Sequence, residues 1–177
     1  MNSANTPLLE TERLILRKFT ENDLEALFNI YSNEEVNTYL PWFPLTSLEE
    51  AASLFKEKYR EVYKRPYGYH YAICPKNSNL PAGYIHAGTD DSHDLGYGLL
   101  QEFWHRGFAT EAARACRDWA FSVLRAPRVY SVIRDTNVAS QRVAQRNGMA
   151  VADRFVKHYR GVEMPHLLYA VDNPAKN

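Results

Sequence analysis

Trp104-His105-Arg106-Gly107-Phe108-Ala109-Thr110-Glu111-Ala112 sets a glycine and small side chains where a helix is about to begin, after a run that reads as a strand ending near Leu100. The first amides of a helix have no partner within it, and the aligned peptide dipoles place partial positive charge there. Such an end binds anions. Gly107 would let a phosphate approach the backbone, and Ala109 adds little bulk. Gly107 would equally relieve a tight turn, and one Gly-x-Ala does not separate the two readings. Asp94 opens the strand that leads into this turn, as a candidate base or as a turn residue in a run rich in aspartate. His93 beside it points to the opposite face of a regular strand. His70 and His86 fall on neighbouring strands, as candidates for proton transfer or as packed core histidines. Cys74 and Cys116 sit in unrelated apolar contexts without CxxC spacing, so buried free thiols are expected, with no disulfide and no metal site.

The elements that must position these groups alternate along the chain. Arg13 to Arg17 reads as a strand. Thr20, with Asp23 three residues on, opens a helix whose face is Leu24, Leu27, Phe28 and Tyr31. The prolines of Tyr39-Leu40-Pro41-Trp42-Phe43-Pro44 exclude a helix there. A second helix starts at Thr46 or Ser47, with Glu49 and Glu50 completing capping boxes and Leu48, Ala52, Phe55, Tyr59 and Val62 on one face. Strands follow at about Tyr69 to Cys74, Ala82 to Ala87 and Asp94 to Leu100, with turns at Asn77-Ser78-Asn79 and Asp90-Asp91-Ser92. A third helix runs from about Gly107 to Leu124, then a buried strand from Val129 to Ile133. A fourth helix, Val138 to Arg146, stops at Asn147-Gly148. Two last strands, about Ala150 to His158 and Met164 to Val171, meet across Arg160-Gly161. The order is β-α-α-β-β-β-α-β-α-β-β, a mixed α/β chain with hairpin pairing and one parallel crossover near Gly107.

The 177 residues suit a single domain over 1–177, with polar ends at about 1–7 and 173–177 expected to fray. Lys+Arg and Asp+Glu are equal at 21 each, which argues against a nucleic-acid-binding surface as the main function. No run approaches the ~18 apolar residues that span a bilayer, and no signal-peptide pattern opens the chain. A cytoplasmic protein without a membrane partner is expected. Twelve tyrosines and three tryptophans hint at an aromatic pocket.

Gly96-Tyr97-Gly98-Leu99 followed by WHRGFATEA resembles the central motif of the GNAT acetyltransferase superfamily. More narrowly it is similar to the RimJ/RimL-like branch, the ribosomal-protein-alanine N-acetyltransferase type, whose string is close to GYWL, a short acidic turn and WGKGYATEA. Leu9-Glu10-Thr11-Glu12-Arg13-Leu14-Ile15-Leu16-Arg17 resembles that branch's opening strand. Asn137-Val138-Ala139-Ser140 and Asn147-Gly148-Met149 match its later motifs.

The resemblance implies a GNAT fold, a central, mostly antiparallel sheet of about seven strands flanked by four helices. It implies acetyl-CoA as donor substrate, with the backbone of Arg106, Gly107, Phe108, Ala109 and Thr110 on the pyrophosphate. Leu99 and Leu100 would pair with the pantetheine arm, and Asn137 would cap its helix and touch the same arm. Arg106, Arg142 and Arg146 would approach the outer phosphates or form a solvated face. Relatives that use a tyrosine on the fourth helix to protonate the thiolate differ here, where Val143 and Ala144 stand. Ser140 is the branch's substitute, and Asp94 matches the acidic base of other branches. Tyr39, Trp42, Phe43, Tyr67, Tyr69 and Tyr71 come from segments that flank the acceptor pocket in the family or pack the core. His105 replaces the usual glycine.

The expected activity is N-acetyl transfer to a primary amine, a protein N-terminus or a small molecule, directly in a ternary complex. The alternative is an acetyl-CoA sensor module of the same fold without catalysis. A monomer or homodimer is expected.

Overall fold

The computed structural model describes residues 5–40, 42–88 and 93–176. The turn expected at Asp90-Asp91-Ser92 lies outside them. Among the described residues eight strands form two sheets, where the resemblance implies a central sheet of about seven. The strands β1 (Leu9–Glu10), β2 (Leu14–Arg17), β3 (Tyr69–Pro75), β4 (Gly83–Ala87) and β5 (Leu95–Leu99) make an antiparallel sheet in that order. β6 (Arg128–Arg134), β7 (Ala150–Tyr159) and β8 (Val162–Asp172) make the second, in the order β6-β8-β7. Asp94 and Tyr130 form the isolated parallel bridge joining β5 to β6. Short β1 extends the first sheet by pairing two residues with β2, which a periodicity reading does not reveal.

Four α-helices dress the sheets: α1 (Leu24–Ser32), α2 (Leu48–Leu54), α3 (Phe108–Ser122) and α4 (Val138–Arg146). Thr20 donates its amide to the Asp23 carboxylate at 2.8 Å, and a short turn at Glu21–Asp23 precedes α1. Ser47 caps α2 by accepting the Glu50 amide. Past Leu54 the coil widens to a π-helical stretch, Phe55–Arg60. The buried stripe here runs through Ala51, Phe55 and Tyr59, one helical turn apart, and leaves the expected Leu48 and Ala52 exposed.

β3 is buried along its whole length and sorts its side chains by alternation. Tyr71 and Ile73 join the core under α3, with Leu14, Ile85, Cys116 and Trp119. Ala72 and Cys74 face the other core, with Leu27, Ile30, Phe55 and Tyr59 from α1 and the α2 region.

The ends are better anchored than their composition suggests. Asn5 is buried and its amide group donates to the carbonyls of Val62, Arg65 and Tyr67. Asn173 is buried too, donating to the carbonyls of Phe121 and Ala126. Residues 5–7 and 173 therefore belong to the folded body, because polar side chains there satisfy carbonyls that helices and strands leave over.

Candidate active site

Beyond the bridge at Asp94, β5 and β6 part. The Tyr130 amide still donates to the His93 carbonyl, and the Ser131 hydroxyl to the Leu95 carbonyl at 2.8 Å. No pairing between the two strands follows among the described residues. Along an antiparallel strand the backbone groups of alternate residues face alternate neighbours. Gly96, Gly98 and Leu100 face β4, and Leu100 donates its amide to Ala82 at 2.9 Å. Tyr97 and Leu99 therefore turn their backbone groups into an open wedge, where an extended ligand can pair as a further strand. Leu99's carbonyl accepts the Trp104 indole N–H at 2.7 Å, and Leu100's accepts the Phe103 amide. The edge thus offers Leu99's amide and both groups of Tyr97.

The wedge leads to the start of α3. Gly107 caps that helix in the left-handed region, with φ of 78°. A side chain there would be strained, and a Cβ would stand 3.3 Å from the Arg13 guanidinium. The amides of Phe108, Ala109 and Thr110 are those the helix cannot satisfy internally. The Thr110 hydroxyl is buried without a hydrogen-bond partner beside them, as suits a site built for a polar ligand. Arg106 is exposed, its guanidinium 5.7 Å from the Phe103 ring centre. Arg142 and Arg146 are exposed on α4.

Two motifs far apart in sequence meet at this cradle. Glu111 accepts the Thr11 hydroxyl at 2.6 Å, the Arg13 amide at 2.9 Å and the Arg13 guanidinium at 2.7 Å. Arg13 also donates to the Arg106 carbonyl at 2.8 Å, so the loop before α3 is tied to the start of β2. Burial alone would raise Glu111's pKa. The Thr11 and Arg13 donors outweigh it and hold the carboxyl below its ordinary range.

Proton-transfer groups flank β5 on opposite faces. On the α3 and α4 side, Tyr97 packs with Leu95 and Leu99, and its buried hydroxyl meets the Ser140 side chain without a regular hydrogen bond. Burial pushes the Tyr97 phenol up to about 12, slightly offset by Ser140. Ser140 lies in the first turn of α4, its amide donating to the Asn137 side chain at 3.1 Å. Asn137 is thus the cap of α4, and the structure places it one turn from Ser140.

On the other side of β5, Gly96 and Gly98 present no side chain, and the His86 and Tyr84 rings lie over them. His86 Nε2 stands 3.6 Å from Asp94 Oδ2, an ion-pair distance longer than a hydrogen bond. His70 stacks toward His86 with ring centres 5.7 Å apart. Burial, then His86 and Lys58, push the His70 pKa down to about 3, which keeps it neutral. His93, at φ of 54°, leaves the regular strand.

Lys58, on the π-helical stretch, is a functional candidate that the sequence reading missed. Its ammonium lies 4.6 Å from the Trp42 ring, 5.1 Å from Tyr31 and 5.5 Å from Tyr84. Burial lowers its pKa to about 8. Ring contacts return about 2 kcal/mol at best against a desolvation cost of several. The aromatic residues divide: Tyr39, Trp42, Phe43 and Tyr67 are exposed, whereas Tyr69 and Tyr71 pack on Trp119 in the core. Tyr97 is a second candidate that sequence reasoning does not find, because a strand tyrosine between glycines looks like packing. Cys74 and Cys116 are buried and burial raises both pKa values, that of Cys74 to about 11. Among the described residues no group of three His, Cys, Asp or Glu side chains is placed to hold a metal ion, and no helix is long and apolar enough to cross a membrane.

Open amides at the start of α3, reached along an unpaired strand edge with titratable side chains on both faces, form a site fit for an extended anionic ligand. The acetyltransferase (GNAT) domain family matches residues 13–150, and the chain belongs to that family of N-acetyltransferases. A Bacillus subtilis protein, the uncharacterised N-acetyltransferase YoaA, is 33% identical over 146 residues, covering 80% of this chain and 82% of that one. The fold is similar to that of RimL, a ribosomal L7/L12 alpha-N-protein acetyltransferase solved in complex with coenzyme A. The TM-score is 0.84 at 22% identity, covering 96% of this chain and 100% of that one. A spermidine N-acetyltransferase from Vibrio cholerae, solved with coenzyme A and spermine, is similar at TM-score 0.77 and 16% identity, over 92% and 97% of the chains.

Proposed function

We propose that this enzyme moves an acetyl group from acetyl-CoA to a primary amine by direct transfer within a ternary complex. The observation that carries this reading is the open edge of β5, which joins the α3 cradle to proton-transfer groups on both faces of one strand. The cradle would hold the donor's pyrophosphate on the amides of Phe108, Ala109 and Thr110, with the Thr110 hydroxyl beside them. Leu99's amide and the backbone of Tyr97 would take the pantetheine arm.

Bound there, the thioester supplies an activated acetyl carbonyl. Asp94, with His86 against it, takes a proton from the incoming ammonium on the glycine-floored face. The amine nitrogen then forms a bond to the carbonyl carbon, the carbon–sulfur bond breaks, and the nitrogen gives up its second proton to water. Ser140 gives a proton to the departing thiolate and recovers one from the Tyr97 phenol. A thiol's pKa of about 8.5 makes this assistance useful but light. Neither cysteine enters, since both are buried and held as thiols.

Release of free coenzyme A across a panel of peptides and small amines tests this reading. Gly107→Val, forced into a left-handed backbone costing about 1–3 kcal/mol, is expected to lose acetyl-CoA binding. Isothermal titration with unchanged affinity would place the cradle elsewhere.

A further inference from the structure

Three aromatic side chains between α1 and α2 rest on cations from the π-helical stretch, from β6 and from the turn between β7 and β8. Trp42 lies on Lys58 at 4.6 Å, Tyr39 on Arg134 at 6.0 Å and Phe43 on Arg160 at 3.9 Å. None of these three cations has a carboxylate within ion-pair distance among the described residues. Arg134 Nε is in addition buried without a hydrogen-bond partner. In a chain of zero net charge, three cations without a carboxylate partner thus meet the aromatic side chains of one loop.

Lys58 sits closest to the chemistry. It contacts the Tyr84 ring at 5.5 Å, and that ring lies over Gly98, its partner across β4 and β5. The ammonium is therefore one aromatic ring away from the strand edge where the donor would lie. Lys58 and Arg134 are partly buried, and a partly desolvated charge without a counter-ion favours a ligand of opposite sign. A polyamine would bring like charges against Lys58, Arg134 and Arg160.

We propose that the acceptor is an amine whose own molecule carries a carboxylate, and that Lys58 is the specificity-determining residue that holds it. The inference rests on the reading of this chain as an amine acetyltransferase. A carboxylate of this kind is carried by a peptide N-terminus followed by Asp or Glu, or by a free amino acid. With the carboxylate on Lys58, the amine is left to approach the Asp94–His86 pair farther along the same face.

Coenzyme A release by the full chain separates these outcomes. One arm uses short peptides alike except for Asp, Asn or Lys after the first residue. The other uses free amino acids and their carboxamides, with spermidine as the cationic acceptor. Carboxylate acceptors are expected to exceed their carboxamide counterparts by about tenfold or more in kcat/KM, mainly through KM. The arm with the larger ratio identifies the source of the carboxylate. Lys58→Met should bring the ratio toward one, and Lys58→Arg should keep it. An acetyl-CoA titration of each variant checks folding, and if Lys58→Met fails it, the wild-type ratio still decides. Preference for carboxamides or spermidine, or a ratio that survives Lys58→Met, overturns the inference while leaving acetyl transfer intact. Coenzyme A release that no amine increases overturns both.

Discussion

A hydroxyl protonates a leaving group well only when its own proton is replaced, and in the proposed reaction the neutral Tyr97 phenol beside Ser140 serves that purpose. In the proposed reaction Ser140→Ala lowers kcat about 100-fold, with little change in KM for acetyl-CoA. Tyr97→Phe gives a smaller loss of the same kind, because Ser140 remains to donate once. Rapid-quench measurement of product per turnover checks both, and an unchanged kcat in Ser140→Ala would remove Ser140 from the chemistry. Asn137 and Ser140 were legible as a pair in the sequence, since a capping asparagine and a first-turn serine have a fixed spacing. Tyr97 was not. Its hydroxyl meets Ser140 only because β5 and α4, forty residues apart, close on each other. Lys58 was equally hidden, since no local pattern marks a lysine that the tertiary fold sets, partly buried, among Trp42, Tyr31 and Tyr84.

At the scale of elements, the cradle depends on a carboxylate that joins β2 to α3. Glu111 has its pKa held below the ordinary carboxylate range, so its stabilising contribution is fully present above the unfolded value of about 4.3. That contribution is lost as pH falls through the lower folded value. The bidentate pair of Arg17 with Asp23 has the same sign, burial opposing and the guanidinium prevailing. Urea midpoints are therefore expected to change little between pH 7 and 5 through these two groups and to drop below pH 4. Asp23→Asn, which breaks a mostly buried pair, should cost about 3–5 kcal/mol at pH 7. Glu111→Gln should cost less, about 1–2 kcal/mol, because Arg13 is half exposed. It should also weaken acetyl-CoA binding several-fold by freeing the loop at Arg106, and titration at pH 7 reads this directly. Element order was mostly visible from periodicity and caps. The parting of β5 from β6 was not, because Gly96-Tyr97-Gly98-Leu99 looks the same whether or not a strand lies beside it.

Across the described residues, the two sheets join at the bridge between Asp94 and Tyr130 and part toward α3 and α4. That opening lets one strand serve two purposes. In the proposed reaction its edge takes the donor, and its glycine-lined face, under His86 and Tyr84, takes the acceptor. Cys74 and Cys116 lie in separate cores on either side of the first sheet. The variant with both changed to alanine is expected to retain transfer, and abolished turnover in a folded protein would reopen a covalent route. The central claim is that the donor occupies the wedge between β5 and the start of α3. Titration of isotopically labelled protein with coenzyme A, followed by backbone amide NMR shifts, tests it most directly. The account predicts the largest shifts at Leu99, Phe108, Ala109 and Thr110, with Val151 to Arg154 on β7 unmoved. Shifts concentrated on β7, with those four amides unchanged, would contradict it.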